Sequence, residues 1–231
     1  MRKKAWVIWF PLLCFALCGS SLRANMVYPL KVFTSDGQYH DSPVLNLYVE
    51  VSNRGTDEVD FTFYNESLID SSIARIYFDD DDGSLLGIAD IAGFGVSFGQ
   101  SAVPGNLPGA KLLDPAFETT SGFGIDADSP PPKNGINPGE RGIISFDLTN
   151  DGTLEDVISG LNTNILRVGV HVIGLPDDSS VSAISVSAPE PGTLILLGTA
   201  GLWIFTRKRR SFEGKTNSAA NASFLMKVSK R

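Results

Sequence analysis

Along residues 44–52 apolar and polar positions alternate. Leu45, Leu47, Val49 and Val51 fall on one side, and Asn46, Tyr48 and Glu50 on the other. A period of two predicts a strand with one buried face. Asn53-Arg54-Gly55-Thr56-Asp57-Glu58 is turn chemistry, and the alternation resumes over residues 59–64 with Val59, Phe61 and Phe63 together. The two runs predict an antiparallel hairpin. Residues 72–78 predict a third strand, closed by Asp79-Asp80-Asp81-Asp82-Gly83, and residues 85–91 a fourth. Residues 142–148 predict another, introduced by the turn Asn137-Pro138-Gly139-Glu140. Leu154, Val157, Ile158 and Leu161 recur at helical spacing after Asn150-Asp151-Gly152, which predicts one short helix. Residues 165–173 predict a late strand with Leu166, Val168, Val170 and Val172 on one face and Arg167 and His171 on the other.

Residues 93–139 hold nine Gly and seven Pro. That density predicts long loops with short strands around residues 96–98 and 117–119, and Pro130-Pro131-Pro132 predicts a stiff extended segment. Short strands, Gly/Pro turns and one short helix together predict an all-β fold, an Ig-like antiparallel β-sandwich of seven to nine strands over residues 25–187.

The two ends break this pattern. Arg2-Lys3-Lys4 precedes an uncharged run from Ala5 to Cys18 and a small-residue exit ending at Ala24. That is the layout of a secretory signal peptide, residues 1–24, with cleavage after Ala24 or Ser20. A second uncharged run follows Gly192 and ends against Arg207, Lys208, Arg209 and Arg210. As a helix of about 14 residues it measures ~21 Å, against a hydrocarbon core of ~30 Å. It predicts one short transmembrane helix, residues 192–206, with the basic cluster as a cytoplasmic stop and the body outside. Residues 211–231 are polar with scattered Lys and predict a disordered cytoplasmic tail.

Charge sharpens the division. The net charge of -7 resolves into +4 for residues 1–24, -17 for residues 25–188 and +6 for residues 189–231. An acidic body lacks the Lys and Arg that phosphate contacts need, which excludes nucleic acid as a partner. Cys14 and Cys18 are the only cysteines, and both lie in the first apolar run. The body therefore has no disulfide, thiolate metal site or cysteine nucleophile.

Ala188-Pro189-Glu190-Pro191-Gly192-Thr193, the apolar stretch after it and the Arg-rich cluster together resemble a PEP-CTERM sorting signal. The resemblance covers residues 188–210, and this chain departs from it by continuing for 21 residues beyond the basic cluster. It implies a Gram-negative bacterium that makes exopolysaccharide. It also implies an exosortase-type membrane protease as processor, with Pro189, Glu190 and Pro191 as the motif read. A weaker resemblance, to an ectodomain that recurs among such proteins, rests on YFDD, LLGIADI, GNLPG, NPGE and ISFDL. It implies a fold and no activity.

Chemistry within the body is sparse. Gly95-Val96-Ser97-Phe98-Gly99 matches a nucleophile-elbow pattern, with Asp126, Asp128, Asp147 and His171 following in hydrolase order. The elbow requires a helix after the serine, and the residues after Gln100 read as loop. His40 and His171, the only histidines, would need carboxylates to complete a zinc site. Asp79, Asp80, Asp81 and Asp82 form a weak calcium candidate whose spacing fails as an EF-hand. No cofactor and no enzymatic activity are expected. The expected protein is exported through the secretion translocon and cut by signal peptidase. It is held by the inner membrane in transit, then displayed at the cell surface or in the extracellular matrix. Its ectodomain is expected to be structural, with exopolysaccharide as a further partner. The alternatives are a carbohydrate- or calcium-binding module and, behind them, a secreted hydrolase.

Overall fold

A computed structural model describes residues 25–34, 39–40, 42–149 and 151–187. The chain divides into a unit of residues 1–187 and a second of residues 188–231, and every described residue lies in the first. The described residues form ten strands, all paired antiparallel, in the order β5-β8-β3-β2-β1-β10-β9-β4-β7-β6. In chain order these are β1 (Met26–Val32), β2 (Leu47–Asn53), β3 (Glu58–Asn65), β4 (Ser72–Asp80), β5 (Leu85–Gly93), β6 (Phe98–Gln100), β7 (Gly124–Ala127), β8 (Arg141–Leu148), β9 (Leu166–Ile173) and β10 (Val181–Ser185). Two helices, α1 (Pro131–Asn134) and α2 (Leu154–Thr163), complete the set with a 3₁₀ turn at Ala110–Leu112.

One strand joins two sheets. Met26 to Pro29 of β1 pair with β2, and Leu30 to Val32 pair with β10. Pro29 marks the change. It has no N–H to give a ladder, and it occupies the last pair with β2 while its carbonyl accepts from Val186 N–H at 3.1 Å. The first sheet is therefore β5-β8-β3-β2-β1 and the second β1-β10-β9-β4-β7-β6, nearly closing into a barrel. The β2–β3 hairpin forms as the alternation requires: Val49, Val51, Val59, Phe61 and Phe63 have no exposed surface.

An aromatic cluster ties the sheets together. Phe78 of β4 meets Phe61 at 5.0 Å, Phe63 at 6.1 Å and Phe146 at 4.7 Å, all edge-on, and Phe123 meets Phe146 at 5.0 Å. Edge-to-face geometry at these distances is the favourable one for ring quadrupoles. The helix α2 buries Leu154, Val157 and Leu161. Its start is fixed by a capping box, in which Thr153 N–H donates to the Asp156 carboxylate at 2.9 Å and Asp156 N–H donates to the Thr153 hydroxyl at 3.3 Å.

The Gly/Pro-rich stretch corrects the sequence expectation in three places. Residues 117–119 form no strand, whereas β7 forms at Gly124–Ala127. The triple proline is not wholly extended. Pro130 is, but Pro131 and Pro132 open the helix α1, where a fixed φ suits the first turn and no N–H is needed. Residues 101–119 lie over the outer face of the second sheet. There Ala102, Leu107, Ala110 and Phe117 pack on Tyr77, with Phe33, Leu113 and Ile184 at the margin. This second small core buries the face of β9 that alternation assigns to solvent. Gly169 sits beneath it, and a Cβ there would lie 2.6 Å from Leu107 and 3.3 Å from Phe117.

Candidate functional site

The four-aspartate run does not stay together as one acidic turn. The strand β4 continues through Asp79 and Asp80, whose side chains take opposite faces, as successive strand residues must. Both are buried, while Asp81 and Asp82 are exposed. Asp80 holds the turn into β5: its carboxylate accepts from Ser84 N–H at 3.2 Å, Ser84 hydroxyl at 3.0 Å and Leu85 N–H at 2.9 Å. Burial pushes its carboxyl above the usual value, and a hydrogen bond shared with Asp82 adds to the rise. The calcium candidate is corrected accordingly: two of its four carboxylates are committed to internal partners. Among the described residues no three His, Cys, Asp or Glu side chains converge as an ion site requires.

Asp79 belongs to a buried clamp that the sequence reading missed. It pairs with Arg167, directly opposite in the β4–β9 ladder. The same guanidinium donates to Pro115 O at 2.8 Å and Ala116 O at 2.6 Å, and lies 5.4 Å from the centre of the Phe117 ring. Asp79 also accepts from Glu118 N–H at 2.9 Å. One ion pair thus fastens the covering segment, residues 101–119, to the sheet. Asn106 fastens it to itself, donating to Phe117 O at 3.1 Å and accepting from Thr119 N–H at 3.1 Å. Burial raises the Asp79 carboxyl above its usual value despite the Glu118 N–H and the Arg167 charge, which both favour ionisation. The available signal in sequence was Arg167 itself, a lone base on an apolar strand. Its partner depended on a register no local pattern shows.

Of the hydrolase residues, Ser97 and Asp128 come together and the others pair elsewhere. Ser97 lies just before β6, so a three-residue strand follows it and no helix. Its hydroxyl donates to Asp128. Asp126 pairs with Arg75 at 3.1 Å, and Asp147 stands opposite Glu58 in the β3–β8 ladder. His171 Nδ1 lies 3.2 Å from the Ser182 hydroxyl, in a cross-strand row of Asp126, Arg75, His171 and Ser182. The elbow pattern therefore gathers no triad. His171 and Arg167 share one face of β9 as expected, but the face is covered, leaving them 9% and 6% exposed.

That burial has a pH consequence. Desolvation, then the charge of Arg75, lowers the His171 pKa below its usual 6.5. The folded protein keeps the imidazole neutral where the unfolded chain takes a proton. This contribution to stability is intact above pH 6.5 and is lost as pH falls through the lowered value. Acidification from pH 7 to 5 is expected to lower the melting temperature of the native protein more than that of His171→Gln. Equal shifts in differential scanning calorimetry would refute this.

Another charge cluster lies on the outer face of the first sheet. Arg54 bridges Glu58 at 3.3 Å, Asp60 at 3.7 Å and Asp90 at 3.1 Å, joining the β2–β3 turn to β5. In sequence it stands in the turn of residues 53–58. On the same face the Tyr48 and Tyr64 rings stack at 4.8 Å, and the Tyr64 hydroxyl donates to Glu50 at 3.3 Å.

Pro189, Glu190, Pro191, the run of residues 192–206 and Arg207, Lys208, Arg209 and Arg210 lie outside the described residues, as does the signal segment of residues 1–24. Among the described residues no helix is long and apolar enough to cross a membrane. No family model, no curated protein and no solved structure matches this chain.

Proposed function

We propose that this chain is an exported surface protein sorted through a C-terminal PEP-CTERM signal, with an Ig-like β-sandwich as a structural, non-catalytic ectodomain. The observation that carries the reading is the order of features along the chain. A basic, apolar, small-residue leader ends at Ala24, and the first strand begins at Met26. The last strand ends at Ser185, and the Pro-Glu-Pro triplet begins four residues later, followed by the apolar run and the basic cluster. The folded part thus occupies the interval that such signals leave for cargo. The implied partners are the secretion translocon, signal peptidase and an exosortase-type membrane protease. The implied address is the inner membrane in transit and then the cell surface or matrix.

Intact mass spectrometry of the protein from its own cells tests the reading. The expected C-terminus lies near Pro189–Pro191, with residues 192–231 gone. Replacing Pro189, Glu190 and Pro191 together by Ala is expected to leave export and the mature N-terminus unchanged while uncut chain accumulates at least tenfold. A native chain ending at Arg231, or unchanged processing of the triple variant, would defeat it.

A further inference from the structure

The free edge of β5 is the most unusual surface among the described residues. Among the described residues this strand hydrogen-bonds only to β8; β6 touches it without pairing, so the other side of the strand presents backbone donors and acceptors that no described strand takes up. Such an edge is a template for another strand, and proteins normally guard it with Lys, Pro, inward-pointing charge or a β-bulge. From Leu85 to Gln100 there is no Lys and no Pro, and the only charge is Asp90. Arg54 of the same chain already holds that carboxylate at 3.1 Å. Two apolar side chains are exposed here as well: Leu86 is 66% exposed and Phe94, between two glycines, 91%. Two register shifts interrupt the first half of β5, but Asp90 to Gly93 run unbroken along β8.

We propose that this edge pairs antiparallel with the β5 edge of a second copy, closing a two-fold dimer. Charge selects the occupant. A basic partner finds no counter-charge along this edge, because Asp90 is neutralised from within, whereas a second copy brings an equally neutral edge. The register that sets Ala92 opposite the partner's Ala92 sets Asp90 opposite the partner's Phe94 and Ile91 opposite the partner's Gly93. No carboxylate then faces another. Identical antiparallel edges form an isologous contact that stops at two, unlike a head-to-tail contact between β5 and the other free edge, β6. The two bodies, each of net charge -17 over residues 25–188, repel at long range. Screening that repulsion strengthens the pairing, so association rises with salt instead of falling.

Disulfide trapping in the full-length chain tests this, using Cys14→Ser and Cys18→Ser as the background. Ala92→Cys is expected to form a covalent dimer on mild oxidation, at least tenfold more than Gln100→Cys on the β6 edge. In sedimentation runs without added cysteine, the dimer fraction is expected to grow between 50 and 500 mM NaCl. Ala92→Lys, a change at an exposed position, is expected to abolish the dimer while leaving the melting temperature unchanged. A monomer throughout, equal trapping at Gln100→Cys, a ladder of higher oligomers, or a dimer that survives Ala92→Lys would each overturn the proposal.

Discussion

Arg167→Ala is expected to destabilise the fold by roughly 3–5 kcal/mol, the cost of leaving a buried charge without its partner. The substitution orphans Asp79, which is almost wholly buried, and removes the donors to Pro115 O and Ala116 O. The covering segment loses its fastening, and the face of Tyr77 and Gly169 opens to water. The sign of the pH dependence separates this mechanism from simple loss of packing. Burial already raises the Asp79 carboxyl, and without Arg167 it rises further. A raised acid contributes stability that is full below its unfolded value and is lost as pH rises through the folded one. Protonated Asp79 needs no cation. The deficit of Arg167→Ala, measured by denaturant unfolding, is therefore expected to shrink as pH falls from 7 towards 4. A double change to Arg167→Met and Asp79→Leu is expected to recover most of the loss, since a packed apolar pair replaces a buried ion pair at little cost. A deficit that stays constant with pH, or a double variant as weak as Arg167→Ala, would show that the clamp does not act through charge.

The same clamp marks how far the sequence could be read. Strands with one wet face were legible, because burial on one side leaves a period of two: Leu47, Val49 and Val51 in β2, and Val59, Phe61 and Phe63 in β3. The strand β9 was legible as a strand but not as a doubly buried one. Its second face is covered by residues more than 40 positions earlier in the chain. The aspartate run read as a turn because four adjacent acids usually are. The ladder runs two residues further only because Arg167 stands opposite Asp79 and the Ser84–Leu85 turn needs an acceptor at Asp80. The strands β1, β7 and β10 carried weak signals for separate reasons. Pro29 interrupts β1, β7 has four residues, and β10 has five, two of them Ser. Among candidate sites, the terminal motifs were visible because they are contiguous, whereas the Arg167 clamp and the Arg54 cluster are assembled by pairing.

Phe78→Ala is expected to cost about as much, roughly 3–5 kcal/mol, through a different term: lost transfer energy plus the cavity left behind. Phe78 has no exposed surface and is the ring from the second sheet that meets three rings of the first, Phe61, Phe63 and Phe146. Close-packed interiors relax only partly around such a hole, so the rings from β3 and β8 would lose their edge-on partner without replacing it. At the usual conversion for a domain of this size the melting temperature falls by roughly 10 °C or more. In urea the midpoint is expected to fall at unchanged slope, because the same surface is exposed on unfolding. Phe94→Ala supplies the comparison. It removes the same ring from a position that is 91% exposed and is expected to change stability by less than about 0.5 kcal/mol. If instead Phe78→Ala cost less than about 1 kcal/mol, the aromatic cluster would not be what joins the sheets. The joint would then lie in β1, whose two halves belong one to each sheet.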